Sequence, residues 1–291
     1  TQNQIGVLYM VGSVICFSIM DICVKWLDYY PVGQVLFLRF FIGFIPIFFI
    51  IPKDKLFSFY KTSRPGLHAF RAICGALAII ALFYGLRELP LADVVSLTFG
   101  GPIFVTVASI FFLSEKVGIK RWSAVFLGFI GMLLIVQPAF IDLNYYYISP
   151  IIFCIFFACV AISVRSLSKT EANYTIAFYF TLLCTIIGLS SIFFVDWIMP
   201  TKIDLLIFVI MALCGSIANL LLTQSYRLAE ASLVTPIKYL SLVFAIVFGF
   251  LIWSEIPKAL TLLGAALVIL SSLIIFVRES QLKKQIITPR S

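Results

Sequence analysis

The chain has 291 residues, of which 62% are apolar, 16% aromatic and only 12% charged, and its formal charge is +8. Soluble domains carry about twice that share of charged residues, so the composition excludes an ordinary soluble protein. No loop combines a basic stripe with exposed aromatic residues, so the positive charge gives no support to nucleic-acid binding.

Ten apolar segments follow one another along the chain, each long enough or nearly long enough to cross a bilayer. We predict membrane spans near Ile5–Val24, Val35–Ile51, Ala69–Leu86, Leu91–Leu113, Trp122–Val136, Ile148–Val164, Tyr174–Trp197, Leu205–Tyr226, Leu233–Trp253 and Leu260–Val277. The connections between them are too short to contain a soluble domain.

The two halves of the chain repeat each other at an offset of about 140 positions. Five pairs of residues follow this offset: Lys25 and Arg165, Phe17 and Phe157, Gly75 and Gly215, Arg87 and Arg227, and Glu115 and Glu255. Because each half has an odd number of spans, the second half enters the membrane from the opposite side. The predicted fold is therefore an all-α integral membrane protein with ten transmembrane helices in two inverted five-helix repeats. The repeats are predicted at 1–139 and 140–278, followed by a basic cytoplasmic tail at 279–291.

The basic residues of the loops predict the orientation. With a cytoplasmic amino terminus, the outward basic residues are only Lys25, Arg87, Lys202 and Lys258, and both chain termini are cytoplasmic. The first span is longer than a signal-peptide core and has a counterpart in the second half, so we expect it to be retained. The prediction is a multi-pass protein of the bacterial inner membrane. Its seven cysteines lie in the spans without CxxC spacing, so no metal or cofactor is expected.

Charged residues within or at the ends of spans are candidates for gating or ion coupling, because charge in a bilayer costs free energy. These candidates are Asp21, Arg39, Arg71 and Glu255. Arg39 either extends to the headgroups or pairs with Asp21, which would then gate the outer entrance. Arg71 shares a helix face with His68, where anchoring at the inner interface is the alternative. Glu255 closes a span, where capping is the alternative to coupling.

Polar and aromatic residues in several spans are candidates for binding a transported molecule, called the cargo below. The fourth span contains Gly100, Gly101 and Pro102 near its middle, where a broken helix exposes backbone polar groups or simply kinks. Lys238 follows Pro236, a position where a helix start can be irregular. The predicted binding residues are Lys238, Tyr239, Tyr84, Asn219, Phe17, Phe157, Gly101 and Pro102. The rings favour a planar or cationic cargo and Lys238 a carboxylate, so a zwitterion satisfies both.

No hydrolase, phosphate-binding or metal-binding motif occurs in the sequence, so no enzymatic activity is predicted. Several stretches are similar to the drug/metabolite transporter superfamily, in particular its ten-helix group with two EamA domains. They are Arg71 through Pro90, Leu89-Pro90-Leu91-Ala92-Asp93, Pro102 through Glu115, Arg121 through Gly131, and Gln224 through Glu255. The resemblance covers almost the whole chain.

The resemblance implies a secondary transporter that moves a small metabolite by alternating access. It also implies a central cavity lined mainly by spans one, three, four, six, eight and nine. Thr62 through Arg71 and Lys238-Tyr239 resemble S-adenosylmethionine uptake carriers, whereas Leu89 through Ala92 resemble riboflavin carriers. The expected partners are a small-molecule substrate and the lipid bilayer, with the chain a monomer or homodimer. A receptor or scaffold without transport activity is the alternative of a different class.

Overall fold

The computed structural model describes residues 2–49, 51, 59–113, 119–142, 144–168, 170–228 and 235–287. The helices are α1 (Gln2–Trp26), α2 (Val32–Phe48), α3 (Pro65–Glu88), α4 (Leu91–Thr98), α5 (Gly101–Leu113), α6 (Ile119–Asp142), α7 (Ile148–Leu167), α8 (Asn173–Ser190), α9 (Lys202–Leu228), α10 (Leu240–Trp253) and α11 (Ala259–Ile287). Short 3₁₀ turns at Tyr145–Tyr147, Ser191–Phe193 and Thr235–Tyr239 join some of them.

These helices form the ten predicted spans. Within the described residues, six helical segments are long and apolar enough to cross a membrane, and four shorter apolar helices complete the set. The predicted break in the fourth span is confirmed, because α4 ends at Thr98 and α5 begins at Gly101. The ninth span begins with the 3₁₀ turn Thr235–Tyr239 before α10, so its start is irregular as well.

The helix pairing has the twofold symmetry of an inverted repeat. α1 packs on α9, and the equivalent pair under the offset of 140 is α7 on α3. The pairs α2 with α8 and α6 with α11 are each equivalent to themselves, and so is the pairing of the fourth span with the ninth, which is made by α4 with α10. Two pairs of equivalent rings touch across the symmetry axis: Phe40 with Phe180, at 5.2 Å between ring centres, and Phe99 with Tyr239, at 5.0 Å. The symmetry axis therefore passes through the middle of the molecule, between the repeats.

Small residues allow α6 and α11 to cross closely, as their sequences predict. A Cβ atom on Gly131 would lie 2.7 Å from the carbonyl oxygen of Gly264, and one on Gly264 would lie 2.5 Å from that of Gly131. At the other end of the contact, the Ser271 hydroxyl donates to the carbonyl oxygen of Ala124 at 2.6 Å. These faces are used for packing within the chain.

The helix ends differ from the predictions in two places. The seventh span ends earlier, because α8 stops at Ser190 and not near Trp197. The hydroxyls of Ser190 and Ser191 donate to carbonyl oxygens three residues before them, which competes with helix continuation. The last span ends later, because α11 continues to Ile287, so residues 279–287 of the predicted tail are helical.

Candidate transport site

The face of the molecule opposite the chain termini is closed by a partly buried ion pair between the two repeats. Lys25, near the end of α1, places its Nζ 2.5 Å from Oε1 of Glu255, which follows α10. The same ammonium donates to the carbonyl oxygen of Leu89 at 2.6 Å and lies 5.3 Å from the centre of the Trp253 ring. Lys25 is 6% exposed. The pair therefore joins α1, the α3–α4 connection and the end of α10.

The turn after α10 positions Glu255. α10 ends at Trp253, and Ser254 has a φ of 55°, in the left-handed region that few residues other than glycine adopt. Oε2 of Glu255 then accepts a hydrogen bond of 2.8 Å from the N–H of Leu91, the first residue of α4. A carboxylate is favourable there because the first N–H groups of a helix lack partners. The capping role considered for Glu255 is present, and the capped helix belongs to the other repeat.

Arg39 of α2 lies in the interior, where α1, α2, α3 and α9 meet. Its side chain is buried, with the guanidinium carbon 5.1 Å from the ring centre of Phe40 and 5.3 Å from that of Phe83. A Cβ atom on Gly215 would lie 3.3 Å from Nε of Arg39, so this glycine leaves room for the guanidinium. Nη1 is buried without a hydrogen-bond partner among the described residues. Arg39 therefore does not extend to the headgroups, which was one of the two alternatives.

Arg71 of α3 contacts the ring of Phe180, which in turn contacts one of the rings beside Arg39. Its guanidinium carbon is 3.8 Å from the ring centre of Phe180, which contacts Phe40 edge to face. Nε and Nη1 of Arg71 are buried and have no hydrogen-bond partner within the described ranges. Arg39 and Arg71 thus flank the Phe40–Phe180 pair with unpaired N–H groups. His68, one turn before Arg71, is also buried and packs on the ring of Tyr179.

Asp21 of α1 lies close enough to Arg39 for electrostatic attraction, without forming a direct ion pair. Its Oδ1 and the Oγ of Ser18 are buried, and neither has a hydrogen-bond partner in the described part of the chain. Both residues line an internal cavity of about 10 Å³. The other lining residues are Ile22, Leu91, Val95, Ser241, Phe244, Ala245 and Phe248. This cavity has room for about one water molecule and lies between α1, α4 and α10.

A second cavity, of about 220 Å³, opens at the face closed by the ion pair. Its lining residues are Pro90, Asp93, Asn144, Tyr147, Ile256, Pro257 and Lys258, at the ends of helices and in their connections. The Tyr147 hydroxyl hydrogen-bonds to Asp93 within it. Because it lies at the helix ends, this cavity is not part of the interior site.

Three of the predicted binding residues come together at the broken spans. The ring of Tyr239 meets Phe99 edge to face, and a Cβ atom on Gly101 would lie 3.1 Å from the ring of Phe157. Pro102 follows Gly101 in the first turn of α5 and is exposed. These contacts join α5 to α7 and the start of the ninth span to the end of the fourth. The aromatic part of the predicted site is therefore assembled across both repeats.

The other predicted binding residues are dispersed. Tyr84 is 46% exposed and lies about 20 Å along α3 from Arg71. The Asn219 amide is exposed and donates to Gly215 of its own helix at 2.8 Å, so it does not join helices. Phe17 packs against the main core, and Lys238 is half-buried in the 3₁₀ turn before α10.

The face that carries the chain termini is joined by hydrogen bonds in the connections. Glu171, between α7 and α8, accepts a hydrogen bond of 2.8 Å from the Thr62 hydroxyl and one of 3.2 Å from the N–H of Ser63. The Thr62 hydrogen bond lowers the pKa of Glu171 below its ordinary value. Two other predicted repeat partners, Glu115 and the side chain of Arg165, lie outside the described residues.

Sequence reasoning did not identify Lys25, Ser18 or Phe180 as parts of a site. Lys25 was treated only as a loop cation. Both repeats contain a basic residue at this position (Lys25 and Arg165) and an acidic residue at another (Glu115 and Glu255), and this pattern was a signal for paired charges. Ser18 and Phe180 have no signal of their own, because serine and phenylalanine are common in spans. Only their position against Asp21 and Arg71 reveals them.

Comparison with known proteins adds independent information. The sequence profile of the EamA-like transporter family matches residues 4–137 and again residues 144–277. The chain is similar to the riboflavin transporter of Rhizobium johnstonii, with 27% identity over 98% of this chain and 94% of that protein. It is also 28% identical to the pseudopaline exporter of Pseudomonas aeruginosa, over 91% of this chain and 94% of the exporter.

Similarity extends to the S-adenosylmethionine uptake transporter of Rickettsia bellii, with 27% identity over 96% of this chain and 95% of that protein. One solved protein crystal structure superimposes with a TM-score of 0.65, covering 95% of this chain and 98% of its own, at 14% identity. At that identity the superposition supports the fold alone. The named relatives differ in what they carry and in the direction of transport.

Proposed function

Because this chain belongs to the EamA-like transporter family, we propose that its cargo is a small amphipathic metabolite that carries a carboxylate, such as an amino acid joined to a nucleoside. The observation that carries this proposal is that Arg39 and the partly buried Arg71 each have buried guanidinium N–H groups without a hydrogen-bond partner among the described residues. The carrier works by alternating access and performs no catalytic chemistry.

The charge of the interior favours an anionic group on the cargo. Arg39 and Arg71 supply two positive charges, and Asp21 supplies one negative charge without pairing directly to either. An arginine at the centre of a membrane helix costs about 2.5–3.5 kcal/mol even on lenient insertion scales. A carboxylate offers a guanidinium two parallel hydrogen bonds, which offset this cost. Cargo binding therefore completes an arrangement that the chain leaves open.

The rings between the two arginines suit an apolar or planar part of the same cargo. Phe40 contacts Arg39, Phe180 contacts Arg71, and the two rings touch each other. Tyr239 and Phe99 lie at the broken spans. Aromatic rings stack on planar groups and attract cations. A zwitterionic compound with a purine, such as S-adenosylmethionine, contains all of these groups. The relative from Rickettsia bellii is an S-adenosylmethionine uptake transporter by name, which supports the use of this compound as the first probe.

A riboflavin-type vitamin is the second candidate. The contact between Phe99 and Tyr239, with Phe157 against Gly101, favours a planar ring system irrespective of charge. For such a cargo the unpaired N–H groups of the two arginines would bind ring carbonyls or hydroxyls, which are weaker acceptors than a carboxylate. The two candidates therefore differ in how strongly transport depends on the charge of Arg39 and Arg71.

We place the protein in the bacterial inner membrane with both termini in the cytoplasm. The loop cations support this orientation, since most of them lie on the side of the termini. In that orientation the Lys25–Glu255 ion pair closes the outer face. We infer that this pair breaks when the outer face opens during the transport cycle.

The test is counterflow of labelled S-adenosylmethionine and of riboflavin in proteoliposomes containing the purified protein. Arg39→Gln and Arg71→Gln should each reduce S-adenosylmethionine affinity about 10- to 100-fold, because a charged hydrogen bond is worth about 1.5–3 kcal/mol. Lys202→Gln is the matched control, since Lys202 is an exposed cation at the start of α9. Unchanged affinity in both arginine variants would refute the carboxylate site. Saturable counterflow of riboflavin alone would favour the second candidate.

A further inference from the structure

The small cavity beside Asp21 is lined by two unpaired oxygen atoms from neighbouring side chains. Oδ1 of Asp21 and Oγ of Ser18 line it and have no hydrogen-bond partner among the residues described. Ser18 is 7% exposed, so its hydroxyl is directed into protein and not to lipid or water. A buried acceptor without a partner costs about 1–3 kcal/mol, so such a pair of atoms indicates an occupant that is hydrogen-bonded in some state of the protein.

The size and the ligands of the cavity limit the occupant. At about 10 Å³ it accepts one water-sized species and no cargo. Three side chains with oxygen atoms line the cavity: Ser18, Asp21 and Ser241. The hydroxyl of Ser241 already donates to the carbonyl oxygen of Lys238 at 2.8 Å. Hard metal cations in proteins generally take about six or more oxygen ligands. A single carboxylate with one free hydroxyl instead suits a proton, bound to Asp21 and hydrogen-bonded to Ser18.

The charged environment of Asp21 connects this cavity to the cargo site. Arg39 from α2 attracts the Asp21 carboxylate, and the thiol of Cys23 on α1 also interacts with it. The cavity residues from α4 and α10 carry no charge. A cargo carboxylate bound to Arg39 would neutralise the guanidinium and remove an attraction that favours the ionised form of Asp21, so Asp21 would bind a proton at a higher pH than it does without cargo. In surroundings that are otherwise apolar, the carboxylate would then bind a proton, since burial disfavours the charged form.

We infer that the cavity formed by Ser18, Asp21 and Ser241 is the proton site of this carrier, and that Asp21 takes up one proton when the cargo carboxylate occupies Arg39. The proton enters from the aqueous side to which the cargo site is open and leaves on the other side with the cargo. One anionic group and one proton then cross together, in the same direction. This inference rests on the carboxylate site proposed at Arg39.

The test separates cargo exchange from gradient-driven accumulation in the same proteoliposomes. With labelled S-adenosylmethionine as the probe and the membrane potential held at zero, the native protein should accumulate it up to about tenfold when the outside is one pH unit more acidic. Asp21→Asn should abolish accumulation while counterflow at equal pH stays within about threefold of native. Ser18→Ala should weaken the pH response without abolishing it. Asp196→Asn, an exposed acid in the α8–α9 connection, is the matched control.

Each alternative result contradicts the inference in a different way. Accumulation that persists in Asp21→Asn would show that Asp21 carries no coupled proton. Accumulation driven by a sodium gradient and not by a pH gradient would make the occupant a metal ion. Loss of both exchange and accumulation in a folded Asp21→Asn protein would make Asp21 a cargo contact.

A readout without cargo keeps the inference separate from the proposed function. If native protein shows no counterflow with any probe, the proposed cargo is wrong, but the proton site is still testable. Infrared difference spectra of the native protein between about pH 5 and pH 8 should then contain the carbonyl band of a protonated carboxylic acid. That band should be missing in Asp21→Asn and present in Asp196→Asn. Identical spectra for native protein and Asp21→Asn would overturn the inference.

Discussion

The Lys25–Glu255 ion pair and the interior charges show two ways in which a membrane protein holds buried charge. Glu255 satisfies Lys25, and the pair binds two further backbone groups, Leu89 and Leu91. By contrast, Arg39 and Arg71 retain unpaired N–H groups among the described residues. The paired charges connect elements of the protein, whereas the unpaired charges are available to a ligand. Burial alone therefore does not separate a structural charge from a functional one; the presence of partners does.

The interior charges also break the symmetry of the repeats. Under the offset of 140, Asp21, Arg39 and Arg71 of the first repeat correspond to Ala161, Tyr179 and Met211 of the second. The helix packing is symmetric, but the charge that we assign to the cargo lies in one repeat. We infer that symmetry provides the motion between the two halves, whereas the first repeat provides most of the chemical recognition.

The largest effect on stability is expected when one member of the ion pair is removed. Lys25→Met leaves the partly buried Glu255 without its cation, and because breaking a fully buried pair costs about 3 kcal/mol, this value is the upper bound here. The apparent Tm should fall by at most about 6–12 °C, since each kcal/mol corresponds to about 2–4 °C in a chain of this size class. Thermal unfolding in detergent, followed by tryptophan fluorescence, measures this shift.

A double variant distinguishes the ion pair from general loss of packing. Lys25→Met combined with Glu255→Gln removes both charges, so it should be more stable than Lys25→Met alone. Lys258→Met is the control, because Lys258 is an exposed cation three residues from Glu255 and should change little. Additive losses in the double variant would show that the two side chains do not stabilise each other.

Removing an unpaired interior charge should weaken cargo binding while leaving the stability of the fold unchanged or higher. Arg71→Met deletes a buried cation without a hydrogen-bonding partner, while its contact with the Phe180 ring is replaced by a sulfur–aromatic contact. The apparent Tm should stay equal or rise by about 2–4 °C, and binding of a carboxylate-bearing probe should fall about tenfold or more. Thermal shift with and without S-adenosylmethionine measures both quantities.

Lys61→Met, at an exposed cation, should change neither the Tm nor the binding of the probe. A clear fall in Tm for Arg71→Met would mean that Arg71 stabilises the fold as Lys25 does.

The sequence predicted the helical architecture because that architecture follows from local and periodic signals. Ten apolar segments give ten spans, and the offset gives the repeat, which the family match at 4–137 and 144–277 supports. The break at Gly100–Gly101 was predicted from residues that weaken helices. The irregular start of the ninth span at Thr235–Tyr239 was predicted from Pro236. Leu240, Ser241 and Leu242, which correspond to Gly100, Gly101 and Pro102 under the offset, contain no helix breaker and lie in α10.

The candidate site was predicted less well because contacts between distant spans have no signature in one sequence. Gly101 and Phe157 contact each other, and Tyr239 contacts Phe99, two residues before Gly101, but Tyr84 and Asn219 lie elsewhere. Their roles in binding stay predictions. The charge pattern indicated Asp21, Arg39 and Arg71 as unusual, without showing which of them have partners. Partners depend on rotamers and on the approach of other helices, which only the tertiary structure shows.

The smallest effect is expected at Glu171, a half-buried carboxylate on the face with the chain termini, opposite the Lys25–Glu255 ion pair. Hydrogen bonds from Thr62 and Ser63 stabilise its ionised form and lower its pKa in the folded protein. A carboxylate whose pKa is lower in the folded than in the unfolded state stabilises above the unfolded pKa of about 4.3, and this contribution is lost as the pH falls through the folded pKa. Glu171→Gln should therefore lower the Tm slightly at neutral pH, and the difference in Tm from native protein should shrink below about pH 4.

Asp196→Asn is the control, because Asp196 is an exposed acid for which no hydrogen bond of this kind occurs within the described residues. A difference between native protein and Glu171→Gln that grows on acidification would have the wrong sign, and would show that these hydrogen bonds do not favour the ionised carboxylate.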